Sequence, residues 1–136
     1  MAAVGGDLRE ITYNHPTLGS GTFYPKSAED STFDPGGLRV SDDANNRDGS
    51  GNWIKIMNAV NWFIEATISH DMNNRMEGEK LAALQADPQD ADWTFTHVNG
   101  TVWGGKGSPV GDLQFNTSAA TIEIKIGGGG ELKKIP

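Results

Sequence analysis

The segment at residues 60–69, VNWFIEATIS, constrains the fold most because its apolar residues recur at every second position. β-Branched and aromatic side chains suit a pleated, half-buried surface, whereas a helix would scatter them around its circumference. The segment therefore predicts a central antiparallel strand with one buried face. That face would carry Val60, Trp62, Ile64, Ala66 and Ile68.

Shorter alternating segments flank this strand, and glycines gather between them. Glycine accounts for 18 of the 136 residues, well above its usual share, which is typical of turns in a β-rich protein. A further edge strand is expected in the last residues of the sequence. The other predicted strands lie at residues 7–13, 17–24, 53–57, 92–98, 101–103, 113–117 and 121–126.

The pair Asn99-Gly100 separates two of these strands and is the strongest short hairpin signal in the sequence. In a type I′ turn both central residues need a positive φ, and Asn followed by Gly is the preferred pair. The sequence therefore predicts a two-residue hairpin here. The glycine-rich residues 104–109 that follow the hairpin are expected to form a loop.

One segment has helical character. Residues 74–86 are mainly helix formers, and Pro88 prevents the helix from continuing. Asn74 and Glu77 have the spacing of a capping box, and Leu81 and Leu84 lie on one side. The sequence predicts a surface helix over 74–86 that covers part of the sheet.

Residues 26–52 are dominated by turn formers, and only Leu38 and Val40 alternate within them. A segment of this length without regular structure is unusual in a compact domain, and it is commonly functional or ordered against a partner. We therefore expect a long Asp/Gly-rich loop over 26–52 that takes part in binding.

Length, charge and cysteine content narrow the class of protein. A chain of 136 residues suits one domain with its own core, and we expect a single domain over 1–136. The absence of cysteine excludes disulfides, zinc–thiolate sites and thiol catalysis. We expect neither a signal peptide nor a membrane span, because the apolar runs are too short. A net charge of −7 argues against a surface that grips nucleic-acid phosphates.

No motif singles out a catalytic, cofactor or metal site. Residues 100–106 match the start of a phosphate-binding Walker loop, but Gly107 replaces the magnesium-binding Ser or Thr, and Pro109 prevents the helix that should follow. The acidic residues 42–48 lack the spacing of an EF-hand, which leaves adventitious calcium as the minor alternative. We therefore expect no catalytic residue, no cofactor and no metal, and a protein that is not an enzyme.

Histidines and tryptophans leave two alternatives open. His15, His70 and His97 are isolated in the sequence, and each is expected to be an ordinary hydrogen-bonding residue or to pair with a carboxylate. The tryptophans are expected to pack in the core or at interfaces, with a carbohydrate platform as the alternative. They are Trp53, Trp62, Trp93 and Trp103.

The order of these elements, with three stretches of sequence, resembles the tail tube proteins of bacteriophages. The stretches are WFIEATIS from Trp62, HVNGTVWGGKG from His97 and ATIEIKI from Ala120. The resemblance is best over residues 53–126, and the residues before them match only in general layout. A contractile tail is favoured over the other tail types.

The resemblance implies a mainly β fold, namely an antiparallel β-sandwich or barrel with one flanking α-helix. It also implies hexameric rings that stack into a hollow conduit, through which DNA passes into the host without specific binding. The partners would be further copies of the chain, the tail sheath, and baseplate or terminator proteins. The chain would be assembled in the host cytoplasm and reside in the tail of the virion.

By position in the sequence, the loop at 26–52 would form the contacts between stacked rings. A ring of six copies carrying −7 each would have a charge of about −42, and like charge would keep DNA from adhering to the wall. Candidates for the lumen are Glu65, Asp112 and Glu123, and Phe63 should be packed by the helix or by a neighbouring subunit. Candidate inter-ring residues are Asp34, Leu38, Val40, Asp42, Asp43, Arg47 and Asp48.

Two other functions remain as alternatives. One is another virion component with a similar β fold, such as a tube initiator, a tube terminator or a head decoration protein. The other is a carbohydrate-binding module that uses the tryptophans and the acidic loop with calcium.

Overall fold

The computed structural model describes residues 3–71, 73 and 76–136. The protein is mainly β, as predicted, and its one helix in these ranges is α1 (Glu77–Ala86). The strands are β1 (Leu8–His15), β2 (Gly19–Phe23), β3 (Thr32–Asp34), β4 (Gly37–Val40), β5 (Met57–Val60), β6 (Trp62–Ser69), β7 (Ala91–His97), β8 (Val102–Pro109), β9 (Gln114–Asn116), β10 (Thr121–Gly128) and β11 (Lys133–Ile135).

Nine strands form one antiparallel sheet with the order β2-β1-β7-β8-β10-β6-β3, in which β11 also pairs with β8 and β9 with β10. Within the described residues, β4 and β5 pair only with each other. The sheet is not a closed barrel, since β2 and β3 at its two ends do not pair with each other. The segment after β2 nevertheless reaches the end of β6, where the Lys26 N–H donates to the Thr67 carbonyl at 2.8 Å.

The prediction for residues 60–69 is confirmed in its main part. β6 begins at Trp62, and its alternate residues Trp62, Ile64, Ala66 and Ile68 are buried. Val60 is an exception because it belongs to β5 and is 37% exposed. The strand is also not central: it lies next to the end of the order, between β10 and the short β3.

The core joins β6 and β10 to β7. Ile64, Ala66 and Ile68 of β6 lie opposite Ile126, Ile124 and Ile122 of β10, and all six side chains are buried. Trp62 meets Phe95 of β7 edge to face, with the ring centroids 5.8 Å apart. Burial of large apolar side chains contributes roughly 2 kcal/mol each, so this packing is the main source of stability.

The predicted loop at 104–109 is wrong, because these residues belong to β8. Their glycines serve the close approach of two strands. A Cβ on Gly107 would overlap the Gly127 carbonyl, and a Cβ on Gly128 would overlap the Lys106 carbonyl. β8 and β10 can therefore pair at this point only because both carry glycine there.

The hairpin at Asn99-Gly100 is confirmed, but the predicted type I′ turn is wrong. The His97 N–H donates to the Thr101 carbonyl at 2.8 Å, so three residues form the loop. Gly100 has a φ of 94°, while Asn99 is not among the residues of positive φ. This geometry is that of a three-residue hairpin with glycine in the left-handed position.

The helix predicted at 74–86 is confirmed over Glu77–Ala86. It begins at Glu77 after Met76, whose φ is 48° and which provides no side-chain cap. The Glu77 carboxylate accepts the Asp71 N–H at 2.7 Å. Asn74 of the predicted box lies outside the described residues. Leu81 and Leu84 are buried, as expected for a helix on the sheet.

The segment at 26–52 is not one long loop, since it contains β3 and β4. Leu38 and Val40 form a strand because their partners, Ala59 and Met57, come from a later part of the chain. The strand predicted at 53–57 begins only at Met57, because the residues that pair with β4 are Met57 to Val60.

The remaining strand predictions are confirmed. β1 and β2 form a hairpin in which Ile11 lies opposite Phe23. β9 falls within the predicted range 113–117, and β10 extends the predicted range 121–126 by two residues. β11 is the expected last edge strand.

The two faces of β6 predict opposite effects of substitution. Ile64→Asp should prevent folding, because an unpaired carboxylate would be buried at a cost of about 4 kcal/mol or more. Glu65→Ala should change the free energy of unfolding by less than about 0.5 kcal/mol, because Glu65 and its partner Lys125 are both largely exposed. Urea unfolding followed by tryptophan fluorescence measures both, and unfolding of Glu65→Ala would reverse the assignment of the faces.

Glycine at the β8–β10 junction gives a second prediction. Gly107→Ala should destabilise the fold by about 3 kcal/mol or more, because its Cβ meets backbone that cannot move independently. Gly49→Ala is the matched control, since a Cβ there has nothing within 4 Å, and it should be neutral or stabilising by up to about 1 kcal/mol. Equal unfolding midpoints for the two variants would contradict this account of the junction.

Candidate assembly surface

Residues 37–60, which we call the arm, form a two-stranded ribbon outside the main sheet. β4 and β5 are its strands, and residues 41–56 are its tip. Leu38 lies opposite Ala59, and Val40 lies opposite Met57. Because side chains of a cross-strand pair share a face, these four residues form one apolar face of the arm.

The apolar face of the arm is open to solvent. Leu38 is 65% exposed, Val40 43% and Met57 51%, and Ala59 is exposed as well. A two-stranded ribbon alone is marginally stable in water. Exposed apolar faces of this kind are typical of interaction surfaces.

The tip of the arm extends this apolar surface. Trp53 is 65% exposed, Ile54 44% and Ile56 41%. Backbone hydrogen bonds order the segment that carries them: the Ser41 N–H donates to the Ile56 carbonyl, and the Ile54 N–H donates to the Asn46 carbonyl, both at 2.8 Å. The apolar side chains therefore sit on a structured tip.

Acidic residues of the tip stabilise its turns. The Asp48 carboxylate accepts the N–H groups of Ser50 at 2.9 Å and Asn52 at 3.0 Å. Backbone hydrogen bonds lower the pKa of Asp48 below its ordinary value of 3.8, and the bond from Asn52 has the largest effect. Asp43 likewise accepts the Asn45 N–H at 2.9 Å. These carboxylates act in local turns.

The arm has no net charge, although the chain is strongly acidic. Three basic residues, Arg39, Arg47 and Lys55, balance three acidic residues, Asp42, Asp43 and Asp48, within residues 37–60. The whole net charge of −7 therefore resides on the rest of the chain. The arm is the element that two copies could bring together with the least electrostatic repulsion.

The predicted inter-ring residues are divided between the arm and its base. Leu38 and Val40 lie on the apolar face, and Asp34 lies outside the arm, in β3. The remaining predicted residues, Asp42, Asp43, Arg47 and Asp48, lie at the tip.

Several apolar residues of the surface were missed from the sequence. The sequence predicts residues 53–57 as a strand, which does not identify Trp53, Ile54, Ile56 and Met57 as an exposed surface, and it makes no prediction for Ala59. The available signal was the run of Asp and Gly directly before residues 53–57.

The three lumen candidates lie along one shallow groove. Glu65 of β6, Glu123 of β10 and Asp112 in the chain before β9 line a depression of about 400 Å³, together with Asp30. All four residues are exposed. The groove lies on the outer face of β6 and β10, where a Lys125 Nζ is 3.8 Å from Glu65. The structure therefore brings together carboxylates that are far apart in the sequence.

Phe63 is packed by a lysine within its own chain. It is half-buried, and Lys125 Nζ lies 4.6 Å from the centroid of its ring. The expected packing by the helix or by a neighbouring subunit stays a prediction. The aliphatic stem and charge of a lysine can cover an aromatic ring at a surface.

Two histidines are buried and hold the chain beside the helix. His15 Nδ1 accepts the N–H groups of Thr17 and Leu18 at 3.1 and 3.0 Å, while its Nε2 donates to the Gln89 carbonyl at 3.1 Å. This geometry requires the neutral ring. The Nδ1 of His70 lies 3.5 Å from the Glu77 carboxylate. Both histidines also lie beside a carboxylate, since His15 Nε2 is 3.5 Å from Asp87.

The other candidate sites do not assemble. Trp62 and Trp93 are 1% exposed, and Trp103 packs on Phe33 with centroids 4.9 Å apart, so the tryptophans form no common platform. In the part of the chain that the structure describes, no group of three or more His, Asp or Glu residues could hold a metal ion. Residues 102–106 of the Walker-like stretch lie in β8.

The described ranges contain no helix that is long and apolar enough to cross a membrane. No protein-family model matches the chain, and no curated protein matches it.

The turn at the tip gives a prediction on pH. Because the pKa of Asp48 is lowered in the folded chain, the charged carboxylate orders the turn above pH 3.8, and the order is lost as the pH falls through the lowered pKa. At neutral pH, Asp48→Ala should speed hydrogen exchange of the Ser50 and Asn52 amides. Asp42→Ala removes an exposed carboxylate of the same tip. It is the control and should leave the exchange rates of both amides unchanged. Equal rates in the two variants would contradict the role of Asp48.

Proposed function

We propose that this protein is a structural subunit of a phage tail tube, and that copies of the chain associate through the arm. One observation carries the proposal: an ordered ribbon presents an apolar face and an apolar tip to solvent. A monomer gains nothing from such exposure, whereas burial against a partner contributes about 25 cal/mol for each Å² of apolar surface. The role is structural, with no chemistry required of the chain.

A second copy of the chain is the partner that the charges favour. Outside the arm the chain carries −7, so two copies that meet through their bodies repel each other. A contact that includes at least one neutral arm reduces this repulsion. Further exposed apolar residues on the body, including Phe115 and Val98, offer surface for the arm of a neighbour.

The acidic groove supports a conduit for DNA. β6 and β10 carry the groove, and within the described chain β3 pairs only with β6 and β9 only with β10. Each short strand therefore keeps one edge with unused backbone donors and acceptors, to which a neighbouring copy can add a strand. Sheets joined in this way around a ring would line its inside with Glu65, Asp112 and Glu123, which repel DNA phosphates.

The alternatives receive unequal support. Another virion component of similar fold would use the same arm and edges, and the number of copies in the particle separates it from a tube subunit. A carbohydrate-binding module is disfavoured because Trp62 and Trp93 serve the core. Among the tryptophans only Trp53 is largely exposed, which does not make a platform.

Electron microscopy of the concentrated protein tests the proposal, and the two faces of the arm provide matched variants. The unmodified protein should form rings or tubes. Val40→Asp should abolish them, because it places a charge on the apolar face, while Asn58→Asp places the same charge on the opposite face and should leave assembly within about threefold of the original.

Both positions are exposed, so both variants should keep the unfolding midpoint of the original protein. Monodisperse monomers of the unmodified protein at high concentration, without rings even after seeding, would overturn the proposal. Equal loss of assembly in the two variants would show that the apolar face is not the contact.

A further inference from the structure

The arm leaves the main sheet through a narrow junction. In the part of the chain that the structure describes, β4 and β5 pair with no other strand, so the arm is continuous with that sheet only at residues 34–37 and 60–62. Gly36 and Gly37 have φ angles of 76° and 99°, a left-handed conformation that glycine adopts without strain. Backbone of this kind can serve as a hinge.

Residues 130–135, which we call the strap, close over this junction. The Leu132 N–H donates to the Pro35 carbonyl at 2.7 Å, and Glu131 forms an isolated antiparallel bridge with Gly36. A Cβ on Gly36 would lie only 2.6 Å from the Gly130 carbonyl, which shows how closely the strap lies against the hinge. The strap thus restrains the backbone that would have to turn.

The far end of the strap belongs to the main sheet. Leu132 is 4% exposed and lies against Gly105 and the core. β11 follows and pairs with β8, with Lys134 opposite Trp103. On the arm itself, Arg39 forms an ion pair with Asp34 and donates to the Gly36 carbonyl at 2.9 Å. The junction is therefore held by the strap and by Arg39 of the arm.

We propose that the strap is a latch that fixes the direction of the arm, and that its release lets the arm turn about Gly36 and Gly37. β11 is a three-residue edge strand in which every residue is exposed. Short exposed edges open at a much lower free energy than core strands, so the strap opens while the sheet stays folded. Its use in docking the arm on a second copy rests on the proposed function, whereas the release is a property of the single chain.

Spin labels measure the direction of the arm in dilute monomer. The chain has no cysteine, so Asn14→Cys in β1 and Asn45→Cys at the tip, both exposed, provide two unique sites. Double electron–electron resonance should show one narrow distance distribution. Leu132→Asp should widen it at least about twofold, because a carboxylate at this buried position draws the strap into water.

Leu18→Asp is the matched control, since it makes the same change at a leucine that is 46% exposed, and it should leave the distribution narrow. An unchanged distribution in a folded Leu132→Asp variant would overturn the proposal. The assembly of each variant is scored separately by electron microscopy. Release of the arm without tubes would count against the proposed function and would leave the latch intact.

Hydrogen exchange of the unmodified chain decides the matter if Leu132→Asp does not fold. The Leu132 amide reports directly on the latch, because its hydrogen bond to Pro35 exists only when the strap is closed. We expect this amide to exchange roughly 100-fold faster than the amide of Ile124 in the core strand β10. Equal rates would mean that the strap opens only with the whole fold, and would overturn the proposal.

Discussion

The close approach of β8 and β10 at their glycines is the constraint on which the rest of the fold depends. Gly107 and Gly128 let the two backbones meet where any side chain would overlap a carbonyl. The contact is short, since only Ser108 and Pro109 of β8 pair regularly with β10. It joins β2, β1, β7 and β8 to β10, β6 and β3 in one sheet. Without it, Trp62 of β6 could not pack on Phe95 of β7, and the isoleucines of β6 and β10 would lack the opposite half of their core.

The same core explains why the arm stands apart. Trp62, Ile64 and Ile68 of β6 are buried in the shared core, but the chain before Trp62 turns away at Asn61 and continues as β5. The apolar residues of the arm therefore have no buried surface of their own chain to cover them. Their exposure, the absence of net charge on the arm and the acidic groove on the body are separate observations, and together they favour a protein that works by association with copies of itself.

Sequence patterns predicted those elements whose signals are local. Alternation in β6 and β10, the Asn-Gly hairpin and the helix before Asp87-Pro88 depend on neighbouring residues, and all were found. The errors concern pairing between distant segments. The sequence predicts a loop at residues 104–109 because glycine marks turns more often than close strand contacts. It predicts a loop around Leu38 and Val40 because their partners, Met57 and Ala59, lie beyond a long tip.

Sequence alone determined the mainly β class, the alternate burial along β6, the lack of cysteine chemistry and the acidic balance, because these follow from residue types and their local spacing. Only the tertiary structure decided that Glu65, Asp112 and Glu123 share one groove, that the apolar arm is exposed, and that Leu132 binds across its base. Each of these depends on contacts between segments far apart in the chain. Residue spacing carries no record of such contacts until the strands have paired.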